Sequence, residues 1–198
     1  MSITTDSLDE FLERLASRAG TPGGGSGSAL VGAVAAALCG MVGRLNDPKT
    51  GAPGPLHDTI ETADALRRRL TRLIDEDISA FEGLMAAWRL PEDDAERHEK
   101  KQAATVAATE APLAVMSAAR DVMQLAAAGL ARSKKNCRSD AGVAGFAAHA
   151  ALEGARLNVF INLPGIADSR RREALKARAD ALRAEADRLR EEIAGMLD

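Results

Sequence analysis

Three consecutive glycines, Gly23, Gly24 and Gly25, stand with Ser26 immediately before a long apolar run. Glycines tolerate positive φ and leave backbone N–H groups uncovered, and a helix starting behind them turns its positive dipole end toward whatever docks there. An anion or a carbonyl oxygen is the expected guest; a plain turn between helices is the simpler reading. The Lys of a P-loop does not follow these glycines, and no strand precedes them as a dinucleotide fingerprint requires.

Asp77 is the second candidate. The stripe through Leu70, Ile74, Phe81 and Leu84 advances by three or four residues and stays on one helical face, so position 77 should be apolar. A carboxylate there is either paired, for instance with an Arg, or has its pKa raised, and the second state is how a general acid or base is tuned. Asn136, Ser139 and Asp140 form a third group, at the start of an alanine-rich segment where an N-cap is the structural explanation. Asp140, Asn158 and Asn162 share one face of that segment, because eighteen residues is five whole turns at ~3.6 residues per turn. Asp140 and Asn158 are then ~27 Å apart. Either two subunits bring opposite ends to one site or some of these residues are structural.

Other reactive types carry less. His57, His98 and His149 are scattered with no pair at metal-ligand spacing, so no metal is expected. Cys39 and Cys137 fit neither a metal motif nor a disulfide framework, and a reducing cytoplasm is the expected setting. Met116 and Met123 read as core, and Arg67, Arg68 and Arg69 as a solvated helix face.

The elements that position these residues are all helical by composition: aromatics are 3% of the chain and Tyr is absent, which disfavours sheet. Ser7 and Glu10 make a capping box opening a short helix that ends by Gly20. The glycine bend leads into a central helix in which Ala29, Ala33 and Ala37, and Gly32, Ala36 and Gly40, make two small-residue strips for close packing. Asp47 to Pro55, with three prolines and two glycines, is a loop. Long helices follow from about Leu56 to Leu90, from Asp93 or Asp94 to about Ala131 with a kink at Pro112, from Ser139 to about Leu163, and from about Asp168 to Leu197. Leu175, Leu182 and Leu189 give the last helix a narrow seven-residue seam.

The expectation is one all-α domain over residues 1–198, an antiparallel bundle of about five long helices plus a short N-terminal one. The net charge of −3, with both signs interspersed, offers no face for nucleic acid. The first residues lack the pattern of a secretory signal, and the most apolar stretch, Ala29 to Gly43, is shorter than the roughly 20 residues of a membrane span.

Taken in order, Thr21 to Ser26, Asp77 in AspIleSerAlaPhe, Asn136 to Asp140 and Asn158 to Leu163 resemble the cyclodeaminase/cyclohydrolase family, over Leu8 to about Asp168. That family includes the C-terminal part of formiminotransferase-cyclodeaminase and stand-alone methenyltetrahydrofolate cyclohydrolases. The resemblance implies a dimeric helical bundle with no covalently bound cofactor, taking a tetrahydrofolate derivative as substrate near Gly23, Gly24, Gly25 and Ser26. Asp77 and Asp140 become the candidate acid and base, with Asn136, Ser139 and Asn162 as binding residues. Gly27 and Ser28 depart from the alanines usual after this glycine motif. The implied reaction is hydrolysis of 5,10-methenyltetrahydrofolate to 10-formyltetrahydrofolate, favoured over cyclodeamination of formiminotetrahydrofolate by the stand-alone chain. The rival from another class is a non-catalytic dimer, its interface made by the small-residue helices and the leucine seam.

Overall fold

The computed structural model describes residues 3–47 and 56–198, so the expected loop lies, apart from Asp47, outside the described residues. Among these residues there are six α-helices: α1 Leu8–Leu15, α2 Gly24–Asn46, α3 His57–Trp88, α4 Arg97–Arg132, α5 Arg138–Asn162 and α6 Ser169–Leu197. Short 3-10 turns at Ile3–Thr5, Lys135–Cys137 and Leu163–Gly165 precede or join them.

Local chemistry sets several boundaries. The Ser7 hydroxyl accepts from the Glu10 N–H, and the Glu10 carboxylate accepts from the Ser7 N–H at 2.8 Å. Asp168 caps α6 by accepting from the N–H groups of Arg170 and Arg171. The expected N-cap at Ser139 does not form. The turn at Lys135–Cys137 runs straight into α5 at Arg138, so Ser139 is an exposed residue inside the first turn. α4 starts at Arg97, later than expected, because Asp94 spends its carboxylate on the Glu96 N–H in the preceding turn.

Neighbouring helices run antiparallel where side chains tie opposite ends together. Gly25 at the start of α2 faces Asp77 near the end of α3, while Gly43 near the end of α2 faces Ile60 near the start of α3. Likewise Gly24 faces Asn158 late in α5, and Gly145 early in α5 faces Ile193 late in α6. α2 packs on α3, α4 and α5, but it is α4 that touches all four of the other long helices, so the expected central place of α2 falls to α4. Gly32, Ala33, Ala36 and Gly40 are buried as the two strips require, whereas Ala37 is exposed. One continuous hydrophobic core links all six helices.

Two expectations change. The helix containing Ala29 to Gly43 runs 23 residues, so α2, like α4, is long and apolar enough to cross a membrane; 56% of that stretch in each is buried by the other helices, as for core helices. The leucine seam of α6 is consumed inside the chain: Leu175, Ala179, Leu182, Ala186 and Ile193 are buried, and α6 packs against α4 and α5. Heptad spacing serves a seam within one chain as well as one between chains. Most of the large apolar residues left outside belong instead to α2, with Val31, Val34, Met41 and Leu45, and to its neighbour α5, with Val143, Phe146, Leu157 and Ile161; Leu8, Leu12, Phe81, Trp88 and Leu197 are the others.

Candidate functional site

The glycine bend and Asp77 meet. α2 begins at Gly24, one residue beyond an extended Gly23, and its first turn carries no cap from its own chain segment. The orphan donors of that turn need an acceptor. Asp77 comes to that turn from α3: its carboxylate accepts from the Ser26 hydroxyl at 2.7 Å and lies near enough to the Ser26 backbone N–H for that group, too, to favour the ionised form. The anion expected at the helix start is therefore a side chain of the protein itself. Gly25 makes this approach possible by space rather than by unusual φ: a Cβ on Gly25 would stand 2.1 Å from Asp77 Oδ1. No ion pair involves Asp77 among the described residues, so the alternative of an Arg partner is not realised.

Burial raises the Asp77 pKa above the ordinary carboxyl value, and the two Ser26 hydrogen bonds oppose the shift without cancelling it. Such a group holds or releases a proton nearer neutrality than a surface carboxylate. It opens on a cleft of about 190 Å³ lined by Thr21, Gly23, Phe81, Ala108, Asn158 and Asn162, together with Gly24, Gly25 and Ile161. Its lining mixes polar and apolar groups. Asn158 donates its amide N–H to the Gly154 carbonyl at 2.9 Å and Asn162 donates to the Ala108 carbonyl at 2.8 Å. Phe81 and Ile161 are partly exposed and give the apolar side.

Of the expected site residues, Gly23, Gly24, Gly25, Ser26, Asp77 and Asn162 converge. Asn136, Ser139 and Asp140 do not join them within the chain, since they occupy the opposite end of α5. Asn158, Phe81 and Ile161 complete the cleft, and none of the three is among the expected site residues. Phe81 follows Asp77 by four residues, and that spacing alone puts both on one face.

Elsewhere, His149 lies beside Glu153 and Asp187, a grouping hidden in the sequence because Asp187 comes from α6. Arg156 and Arg183 pair with Glu153, and Arg183 also with Asp187, so these carboxylates are met by guanidinium groups. Both cysteines are buried and free, and burial pushes the Cys39 thiol up to about 12.

Comparison with known proteins gives one consistent picture. The formiminotransferase-cyclodeaminase profile matches residues 7–181. A methenyltetrahydrofolate cyclohydrolase of Methylorubrum extorquens is 40% identical over 170 residues, covering 82% of this chain and 82% of its own length. The formimidoyltransferase-cyclodeaminase of Rattus norvegicus is 32% identical over 184 residues, and there the chain spans 34% of the relative's length. The crystal structure of a formiminotetrahydrofolate cyclodeaminase from Thermotoga maritima superposes with a TM-score of 0.88 at 28% identity, covering 98% of this chain and 96% of that one.

Proposed function

Since the chain belongs to the formiminotransferase-cyclodeaminase family, we propose that it is a methenyltetrahydrofolate cyclohydrolase, converting 5,10-methenyltetrahydrofolate to 10-formyltetrahydrofolate. The observation that carries this reading is the half-buried carboxylate of Asp77, pKa raised, in a cleft it lines together with the polar Asn158 and Asn162 and the apolar Phe81 and Ile161. A flat, cationic heterocycle fits such a cleft. The 40% identity to a cyclohydrolase over most of both chains supports the same choice.

In the proposed reaction a water oxygen bonds to the methenyl carbon while the C=N π pair returns to nitrogen, so the ring cation is neutralised. Asp77 takes the water proton as the bond forms. It then delivers that proton to N5 as the C–N5 bond breaks, and the hydroxyl proton leaves to solvent as the formyl carbonyl forms on N10. A base whose pKa lies nearer neutrality serves both steps better than an ordinary carboxylate.

The reading includes a homodimer with shared sites. Val31, Val34, Met41 and Leu45 on α2 and Val143, Phe146, Leu157 and Ile161 on α5 recur at helical spacing and are exposed side by side. A two-fold copy laid antiparallel on this face covers both stripes and sets Asn136, Ser139 and Asp140 of the second copy toward the glycine bend. That arrangement supports Asp140 as a second proton-transfer group and Asn136 and Ser139 as binding residues.

A second reading, cyclodeamination of formiminotetrahydrofolate, is favoured by the raised pKa itself, since departing ammonia needs an acid that still holds its proton at working pH. The Thermotoga structure bears that name. Titration with 5,10-methenyltetrahydrofolate, followed by its absorbance change on hydrolysis, and with 5-formiminotetrahydrofolate, followed by ammonia release, tests the proposal. Turnover of the first alone supports the hydrolase, turnover of the second the deaminase, and binding of neither overturns both and leaves a non-catalytic dimer.

A further inference from the structure

α4 carries Pro112 in its interior, and Pro112 is buried there. A proline has no N–H, so the carbonyl four residues earlier loses its helical donor. That carbonyl belongs to Ala108, which lines the cleft, and the group that takes it is the side-chain amide of Asn162 at 2.8 Å. Residues 54 apart in sequence thus satisfy a carbonyl that the proline leaves short of a partner.

This contact decides which way the Asn162 amide faces. A carbonyl only accepts, so the atom held against Ala108 is Nδ2, and Oδ1 is left as an acceptor on a residue that lines the cleft. Asn158, one turn earlier, has the same arrangement, with its Nδ2 given to the Gly154 carbonyl at 2.9 Å. The polar wall therefore offers the two amide oxygens and the Asp77 carboxylate as acceptors, beside the Thr21 hydroxyl, which donates to Glu82 at 3.5 Å. Such a wall complements an N–H-bearing edge of a ring and rejects one made of lone pairs.

We infer that Pro112 is a positioning residue: by stripping the Ala108 carbonyl of its helical donor it recruits the Asn162 amide, and so turns Asn162 Oδ1 to receive an N–H of the substrate ring. The ligand half of this inference rests on the proposed folate reaction. The anchor half does not.

A mutant cycle separates them. Parent, Pro112→Ala, Asn162→Ala and the double variant are compared by urea denaturation and by KM and kcat for 5,10-methenyltetrahydrofolate. Asn162→Asp is a further single variant, which keeps an acceptor in the cleft but cannot donate to Ala108. The denaturation midpoint falls on Asn162→Ala and on Asn162→Asp in the parent, but Asn162→Ala costs little in the Pro112→Ala background, where the alanine backbone N–H again reaches the Ala108 carbonyl. KM rises about tenfold in Pro112→Ala, with kcat changed less, and rises no further when Asn162→Ala is added, as one lost hydrogen bond at a fixed edge implies. Equal midpoint losses in both backgrounds would overturn the anchor. A coupled midpoint with an unchanged KM in Pro112→Ala would overturn the positioning role. A parent that neither binds nor turns over folate, with the midpoints still coupled, overturns the proposed function and the ligand half together while the anchor stands.

Discussion

Gly25→Ala puts one carbon where the Asp77 carboxylate sits. The added Cβ meets Oδ1 at 2.1 Å, Cγ at 2.5 Å and Oδ2 at 2.7 Å. Ordinary contact begins near 3.4 Å, so the carboxylate must retreat by roughly 1.3 Å, because repulsion at shorter range far exceeds any single dispersion contact. A Ser26 hydrogen bond of 2.7 Å stretched by that amount no longer qualifies as one. Losing a hydrogen bond to a charged group costs about 1.5–3 kcal/mol, and the helix propensity gained on replacing Gly by Ala returns about 1 kcal/mol. The net loss of stability is therefore about 0.5–2 kcal/mol, and the fold survives because the carboxylate is the far end of a side chain that can swing. Activity has no such relief: misplacing a reacting group by about 1 Å costs on the order of 10²-fold. Gly83→Ala is the matched control, since Gly83 lies on an exposed part of α3 and a Cβ there meets nothing within 4 Å. The assay is absorbance-monitored hydrolysis of 5,10-methenyltetrahydrofolate beside urea denaturation for both variants. Retention of kcat/KM within about threefold in Gly25→Ala would refute the reasoning, because a group able to move about 1 Å without loss is not the proton carrier.

Because the folded state raises the Asp77 pKa, its favourable contribution is fully present below the unfolded carboxyl value and is lost as pH rises through the folded one. Asn at this position never ionises, so Asp77→Asn should gain stability relative to the parent above that pH, read by urea denaturation across a pH series. The same ionisation should give parental kcat/KM an acidic limb above the ordinary carboxyl range, and Asp77→Asn should lose it together with most activity; a limb surviving in the variant assigns it elsewhere. Val34→Glu and Phe146→Glu place charges on exposed positions of α2 and α5 and should yield folded monomers by light scattering that lack activity. Mixing inactive Asp77→Asn with inactive Asp140→Asn should restore about a quarter of parental activity, half the dimers being mixed with one intact site each; no recovery after verified subunit exchange would rule out sites shared in this way. Cys39, buried with its thiol pushed up to about 12, should resist alkylation at pH 8 until the chain is unfolded, checked by mass spectrometry.

What could be read from the sequence was chemistry confined to one turn or one face. The Ser7 and Glu10 box, the start of the last helix near Asp168 and the break in the apolar stripe at Asp77 each need only neighbouring residues, and each has its counterpart in the fold. What stayed hidden depends on partners far along the chain. The glycine bend looked like a loop because glycine lowers helix propensity; α2 nevertheless starts at Gly24, since a carboxylate 51 residues away from Ser26 holds its first turn. Pro112 was legible as a lost helical donor but not as the reason Asn162 is anchored, and α6 was legible as a seam but not as one facing inward. Trp88 follows Leu84 by four residues and so falls on the same stripe, yet it is exposed at the end of α3 with the Lys101 ammonium over its ring.

Asp77 serves two masters. The same oxygen atoms that close off the start of α2 are, in the proposed cycle, the ones that pick up and hand on a proton. Each time Asp77 takes up a proton, the dipole of α2 loses the counter-charge opposite its amino end, while the carboxyl is relieved of the burial that raises its pKa, so the two effects pull on the scaffold in opposite directions within every turnover. Architecture and reactivity are drawn from one functional group here, and neither can be tuned without altering the other.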